Sequence, residues 1–467
     1  MLETSRAEAP RSRTGPWHPV VTGAVVVGVV VAAAAVRFLF IDQVSGDYSA
    51  FVSPWYDYLD ANGGFAAVGA DISNYNPPYL YMLAAATYLP LSKIVAIKLI
   101  SMIFDVLLAA FAALIVRQRF SRPVLPLLCF AVVLFAPTVV VNSAAWGQCD
   151  SIYAAFCLGS LYFLLRNKPW WAAILFGVAL SFKLQAIFFL PVLFIVAVVN
   201  RQRLLALLAV PAAFAVMLLP AILAGRDLSS LLMIYPNQVI TGGTATGGAG
   251  FSGPGGGSFA GQPARGGAGV PSGLAAGGGR GFGQSRGAGT TLTQNAPTFY
   301  QWLGSGAGTI WKYLGLAASA LVVAVVALTA WLRRRRLTTA EIVVLATTVV
   351  LAVPFFLPEM HERYFYLADV LTIVMAFYVR RYWPVAVVVS ACSLLSYAPF
   401  LWHDTIVSLP LVAFAEFLAV IVTGLFFGSV VGLGSDRWLR QPATRPVEPL
   451  RPIDAAAQRR RLPSPTR

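Results

Sequence analysis

Five short segments hold the side chains best suited to chemistry, in a fixed order along the chain. The first is Gly46-Asp47-Tyr48. A carboxylate placed there can take a proton from an attacking hydroxyl, and such general-base assistance contributes roughly 10²–10⁴-fold to a rate. Asp47 also reads as an ordinary solvated loop carboxylate. The second is Tyr75-Asn76-Pro77-Pro78-Tyr79. Its prolines fix the chain direction and end the preceding structure, so a turn is the simpler reading and a ligand-lining role the richer one. The third is Trp146-Gly147-Gln148-Cys149-Asp150. Trp146 reads first as an interfacial anchor. Gln148 and Asp150 can hydrogen-bond ligand hydroxyls, and Asp150 equally suits a helix N-terminus. The fourth, Phe182-Lys183-Leu184-Gln185, puts a cation beside apolar runs, where it either meets an anionic partner or snorkels to water. The fifth is Met360-His361-Glu362-Arg363-Tyr364. Arg363 suits bidentate phosphate contact, or a local ion pair with Glu359 or Glu362.

These residues form no recognisable metal set. His361-Glu362 is followed by Arg-Tyr-Phe, so the HExxH pattern is absent, and His18 and His403 add no ligands. No zinc is expected. The four cysteines lie in or beside apolar runs without a CxxC pair, and read as packing residues. No GxxxxGK[ST] occurs, so a phosphate-cradling loop is not supported.

The elements that must position these segments are apolar helices. Of 467 residues 58% are hydrophobic and 11% charged, with a mean hydropathy of +0.72. Soluble domains are roughly a quarter charged, so a soluble globule is excluded. A hydrocarbon core about 30 Å thick needs roughly 20 apolar residues of helix. Such runs suggest twelve spans, at 20–40, 96–116, 123–142, 149–165, 169–183, 186–199, 204–224, 313–332, 340–357, 364–379, 383–401 and 407–431. The run 79–90 is short and proline-bounded, which suits a re-entrant or interfacial segment. Residues 20–40 read as an uncleaved signal anchor. Lys98, Asp105, Asp369 and Glu416 fall within spans, and Lys98 and Asp105 are expected to meet other helices rather than each other.

Charge then sets orientation. The net charge is +15, and with twelve spans 24 of the 34 basic residues lie in loops and tails on one side, the cytoplasmic side by the positive-inside rule. Both termini are expected there. The charge is thus a membrane signal, and nucleic acid is not an expected partner. Ten of the 19 acidic residues border the opposite face, where the five segments also lie. The chain divides into a cytoplasmic tail (1–19), an N-terminal membrane module (20–224) with the external loop 41–95, a second external loop (225–312), a C-terminal module (313–431) and a basic tail (432–467). Within Phe51–Leu59 apolar residues recur at helical spacing. Residues 241–290 hold 21 of the 40 glycines and no acid, a low-complexity insert. Order is expected to return at Pro297–Trp302, an aromatic interfacial patch.

Taken together, GDY, YNPPY, WGQCDS, SFKLQ and MHERY resemble the membrane glycosyltransferases of the GT-C fold that use polyprenyl-phosphate sugars. The likeness is nearest to bacterial relatives of the second glycosylphosphatidylinositol mannosyltransferase, and more distant to the dolichyl-phosphate-glucose glucosyltransferases. It spans most of 20–430, outside the Gly-rich insert. It implies an all-α polytopic membrane enzyme that transfers a hexose, mannose or glucose, with inversion and on the extracytoplasmic face. The donor is a polyprenyl-phosphate-linked sugar among membrane lipids. The acceptor is a hydroxyl on a glycan, glycolipid or protein, and no cofactor is needed. The resemblance maps the base to Asp47 and the donor-phosphate contacts to Lys183 and Arg363, with His361 beside them. Tyr48, Tyr75, Asn76, Trp146, Gln148, Asp150, Gln185 and Glu362 then fall around the acceptor or sugar, and Asp105 matches a family acid without an assigned role. One departure is that WGQCDS stands where the glucosyltransferases carry a His-rich segment, so sugar preference does not transfer. Two other activities suit the same sequence: a flippase or transporter of lipid-linked sugar, and a ligase or polymerase that moves whole glycans.

Overall fold

Apolar runs separated by Pro, Gly and Arg fold into helices. The computed structural model describes residues 19–240, 292–303 and 308–433. The Gly-rich insert and most of both tails lie outside these described residues. In chain order the helices are α1 (Pro19–Phe38), α2 (Ser53–Ala61), α3 (Pro77–Thr87), α4 (Lys93–Arg117), α5 (Val124–Leu134), α6 (Pro137–Val140), α7 (Asp150–Leu165), α8 (Pro169–Phe182), α9 (Leu190–Val199) and α10 (Ala209–Leu223). There follow α11 (Leu228–Ile240), α12 (Thr309–Leu332), α13 (Thr339–Phe356), α14 (Tyr366–Tyr378), α15 (Trp383–Leu401) and α16 (Leu409–Phe427).

Every expected span contains helix, but length separates them. Among the described residues seven helices are long and apolar enough to cross a membrane. The pair Val124–Leu134 and Pro137–Trp146, bent by 48°, makes an eighth. The helical stretches at 150–165, 169–182, 184–199 and 366–378 are shorter, so length and composition support seven or eight of the twelve expected spans among the described residues. Proline accounts for the main break: Pro137 cannot donate to the preceding turn, and Ala136 before it leaves the helical region, at φ −57° and ψ 128°.

Packing forms two groups. α4 packs on α5 and α7, α7 on α8, and α8 on α10. α12 through α16 pack in succession, and α14 leans on α4 and α5 to join the groups. Every residue from Ala340 to Phe355 of α13 is buried, as expected for a helix enclosed on all sides. α1 and α12 instead expose Val27, Val31, Leu321 and Leu328, apolar surface suited to lipid.

The intramembrane charges are tied between elements. Arg37 of α1 donates Nε to Asp105 Oδ2 of α4 at 2.8 Å and Nη2 to the Leu134 carbonyl at 2.9 Å. Ser143 donates to the same Asp105 oxygen at 2.6 Å. Lys98 Nζ donates to the carbonyls of Phe40, Ile41 and Gln43, in the turn that follows α1. As expected, Lys98 and Asp105 meet other elements. Asp369 accepts from Ser393 at 2.8 Å, and Glu416 is buried beside Cys392. The four cysteines are buried and free.

The loop 41–95 is ordered. A π-helical turn at Tyr48–Val52 leads into α2, which packs on α3, so the helical spacing within Phe51–Leu59 is realised. Pro77 and Pro78 open α3, where a missing N–H costs nothing. Beyond the insert, Thr293–Gln294 pairs in parallel with Met360–His361 and holds the segment that carries Arg363.

Candidate functional site

Asp47 sits where the 41–46 turn meets the Tyr48–Val52 helix, as its N-cap. Ser45 sets that junction: its hydroxyl donates to the Trp146 carbonyl at 2.7 Å and accepts from the Tyr48 amide at 3.1 Å. From the other side, the bent pair ends in a π-helix at Val141–Trp146, closed by Gly147 at φ 75°. Only glycine takes that left-handed turn without strain, and it turns Gln148 back so that its amide bonds the Asn142 carbonyl at 2.9 Å. Two π-helical turns therefore flank the site, a form often found at functional positions.

Three donors converge on one oxygen of Asp47. Gln148 Nε2 lies 2.5 Å, Trp146 Nε1 3.0 Å and Arg363 Nη1 3.2 Å from Oδ2. No hydrogen bond reaches Oδ1 from the described residues, and the side chain keeps 17% of its exposure. Gln148 faces the other way with Oε1, which accepts from Lys183 Nζ at 3.3 Å and from the Tyr75 hydroxyl at 3.4 Å. Lys183 donates to Asp150 Oδ1 at 2.6 Å, and Asn142 donates to Asp150 Oδ2 at 2.8 Å. Asp150 opens α7, a favourable place for an anion. Arg363 also meets Glu362 Oε1 at 3.3 Å, while its Nε, 4.0 Å from Asp150 Oδ2, has no hydrogen bond. Lys183 lies over the Tyr75 ring and Arg363 over the Trp146 ring, at 5.2 and 5.5 Å.

Burial shapes the titration of this cluster. It pushes the Glu362 carboxyl up to about 7, with Arg363 pulling the other way. It pushes the Tyr75 phenol up to about 12, again against a nearby cation, Lys183. For Arg363 burial disfavours the charge, but Asp47, Tyr75, Glu362 and Asp150 together raise its pKa above the ordinary value.

Of the residues singled out in the sequence, Asp47, Tyr75, Trp146, Gln148, Asp150, Lys183, Glu362 and Arg363 share this one network. Two readings need correction. Trp146 is no interfacial anchor: it is fully buried, stacked on Phe400 and edge-on to Tyr397, because its N–H is committed to Asp47. Lys183 does not snorkel: it is 4% exposed, and Asp150 compensates its charge. Glu359 pairs with Lys312 at 2.8 Å rather than with Arg363. Four others stand at the edge. Tyr48 packs behind Gly147. Asn76 is buried as the N-cap of α3 and faces the Tyr235 hydroxyl. Gln185 reaches Tyr364, and the His361 ring lies 5.1 Å from that tyrosine.

Tyr235, Asn142 and Phe400 complete the site without having been singled out. Tyr235 of α11 donates to the Leu180 carbonyl and lies within electrostatic reach of Lys183 and Tyr75. Only Asn142, a polar residue in an apolar run, carried a usable sequence signal.

Residues 74–241 match the model of glycosyltransferase family 87, about a third of the chain. That stretch contains Tyr75, Gln148, Asp150 and Lys183 but neither Asp47 nor Arg363. No curated protein sequence matches the chain. Among solved structures it is similar to ArnT from Cupriavidus metallidurans bound to undecaprenyl phosphate, with a TM-score of 0.46 and 14% identity over 89% of this chain and 79% of that one. The chain is a glycosyltransferase, built on a helical, multi-pass membrane fold.

Proposed function

We propose that the chain transfers a hexose, mannose or glucose, from a polyprenyl-phosphate donor to an acceptor hydroxyl on the extracytoplasmic face, with inversion and with Asp47 as general base. The observation that carries this reading is the asymmetric grip on Asp47, with three donors on Oδ2 and none from the described residues on Oδ1. The grip fixes the carboxylate's orientation and leaves one oxygen for the acceptor.

The acceptor hydroxyl donates to Oδ1, and its oxygen attacks the anomeric carbon from the face opposite the phosphate. The new C–O bond forms as the old one to phosphate breaks, and the proton stays on Asp47. The donor is a phosphodiester with one negative charge, and the departing polyprenyl phosphate carries two. Cations aimed at it therefore bind the transition state better than the ground state. Lys183 has three N–H donors, of which Asp150 and Gln148 take two. The Nε–H of Arg363 is without an acceptor. These are the groups suited to the phosphate. Gln148 links the two halves, donating to the base and accepting from the lysine. Tyr75 and Tyr235 offer partly exposed ring surface for the sugar, and Glu362, when protonated, adds no repulsion to the arriving anion.

The test is transfer of radiolabelled mannose or glucose from synthetic polyprenyl-phosphate donors by the purified protein. Asp47→Asn should lower transfer by roughly 10²–10⁴-fold while thermal unfolding and donor binding stay near wild type. Full activity in Asp47→Asn removes the assignment. Movement of labelled donor across vesicles without a glycosidic product favours the flippase.

A further inference from the structure

At the far end of α13 from Arg363 the protein holds a second cluster of cations. α13 has 18 residues, or about 27 Å of helix, so this cluster lies near the opposite boundary of the hydrocarbon region. There a cavity of about 460 Å³ opens between the end of α9 and the α12–α13 turn, lined by Arg201, Arg334, Arg335, Arg336 and Trp331.

The cleft is built rather than incidental. Asn200 laces its two walls together: its Oδ1 accepts from the Leu337 amide at 2.7 Å, and its Nδ2 donates to the Leu337 carbonyl at 3.2 Å. Glu341, with the Thr338 capping box, takes up Arg333 and Arg335, at 2.6 and 2.7 Å. Arg201, Arg334 and Arg336 have no carboxylate at ion-pair distance among the described residues. Arg201 and Arg334 also hold left-handed backbones, at φ 52° and 53°. That conformation is costly for a side chain with a Cβ, and strain of this kind persists where the surroundings or a function impose it. Both stand one residue past a helix C-cap, after α9 and α12, where glycine is the usual residue and would relax the backbone. Beside them Trp331 and Leu332 are exposed, at 61% and 58%.

We propose that this cleft binds the phosphodiester headgroup of an anionic membrane phospholipid, with the three unpaired arginines on the phosphate and the acyl chains along Trp331 and Leu332. Basic pockets between membrane helices suit such headgroups. A free phosphate would satisfy the arginines but leave the adjoining apolar surface unused, which favours the lipid. The site is independent of the reading given to Asp47.

The test uses the full chain, purified in detergent and titrated with phosphatidylglycerol or phosphatidylcholine, with bound lipid counted by native mass spectrometry. A cation near an anionic headgroup contributes about fivefold in affinity. Arg201→Gly/Arg334→Gly/Arg336→Gln should therefore bind phosphatidylglycerol about a hundredfold more weakly. Its unfolding temperature in lipid-free detergent should be no lower than wild type, since glycine relieves both strained positions. Arg380→Gln/Arg381→Gln, elsewhere on the same face, should bind as wild type does. Undiminished binding by the triple variant overturns the proposal, as does equal binding of phosphatidylcholine. Complete displacement of phosphatidylglycerol by millimolar inorganic phosphate overturns the lipid assignment. A triple variant that unfolds at a markedly lower temperature makes the arginines structural.

Discussion

Glu362 is the side chain in the cluster whose charge the fold sets most visibly. It is 2% exposed and lies between Arg363 and the strand that holds it. Burial favours its neutral form and raises the carboxyl from 4.5 to about 7. The stability it contributes is therefore fully present below about pH 4.5 and lost as pH rises through about 7. Glu362→Gln is neutral throughout and has no such loss. The prediction is that wild type and variant unfold at similar temperatures at pH 5 in detergent, and that wild type falls below the variant at pH 8. Parallel curves would remove the assignment. The identity of Glu362 was legible in the sequence and its burial was not. The same divide runs through the site. Motif types pointed to Asp47, Lys183 and Arg363, but one sequence cannot say whether a tryptophan beside a span faces lipid or stacks on Phe400. Tyr235 was further out of reach, because nothing local to α11 records that it folds back over Asn76.

Elements position those residues through a few buried ties, and the Arg37–Asp105–Ser143 junction is the tightest of them. It pins α1 to α4 and to the bent pair three residues before Trp146. Breaking a buried pair from one side leaves an uncompensated charge and costs about 3–5 kcal/mol, whereas replacing both partners by apolar residues is often close to neutral. Arg37→Leu should therefore lower the unfolding temperature in detergent sharply and reduce transfer, since Trp146 and Gln148 hang from the same helix. Arg37→Leu/Asp105→Leu should recover most of the stability, and additive losses in the two single variants would show that the pair is not coupled. Helix positions were readable from apolar runs because burial in lipid and burial in protein favour the same residues. For that same reason the runs overstate the number of long spans. The π-helical turns at 48–52 and 141–146 left no signature, since they depend on where the chain must turn Asp47 and Gln148.

Across the whole molecule the two charge clusters occupy opposite ends of α13, and this polarity links topology to chemistry. The mixed cluster around Asp47 is balanced internally, with Lys183 on Asp150 and Arg363 on Asp47. The Arg333–Arg336 turn keeps excess positive charge despite Glu341. A turn of that kind is retained in the cytoplasm, which would place the Asp47 end outside. The four native cysteines are buried, so they form a quiet background for introduced thiols. Asp404→Cys, in the exposed 402–406 turn near the Asp47 end, should react with a membrane-impermeant maleimide in intact cells. Arg336→Cys should react only after permeabilisation. The reverse pattern would invert the protein in the membrane and put the proposed transfer on the cytoplasmic face, where nucleotide sugars are at hand and the case for a lipid-borne donor would weaken. Labelling at both positions in intact cells would mean that the two clusters do not lie on opposite sides, and the proposed span arrangement would fall with it.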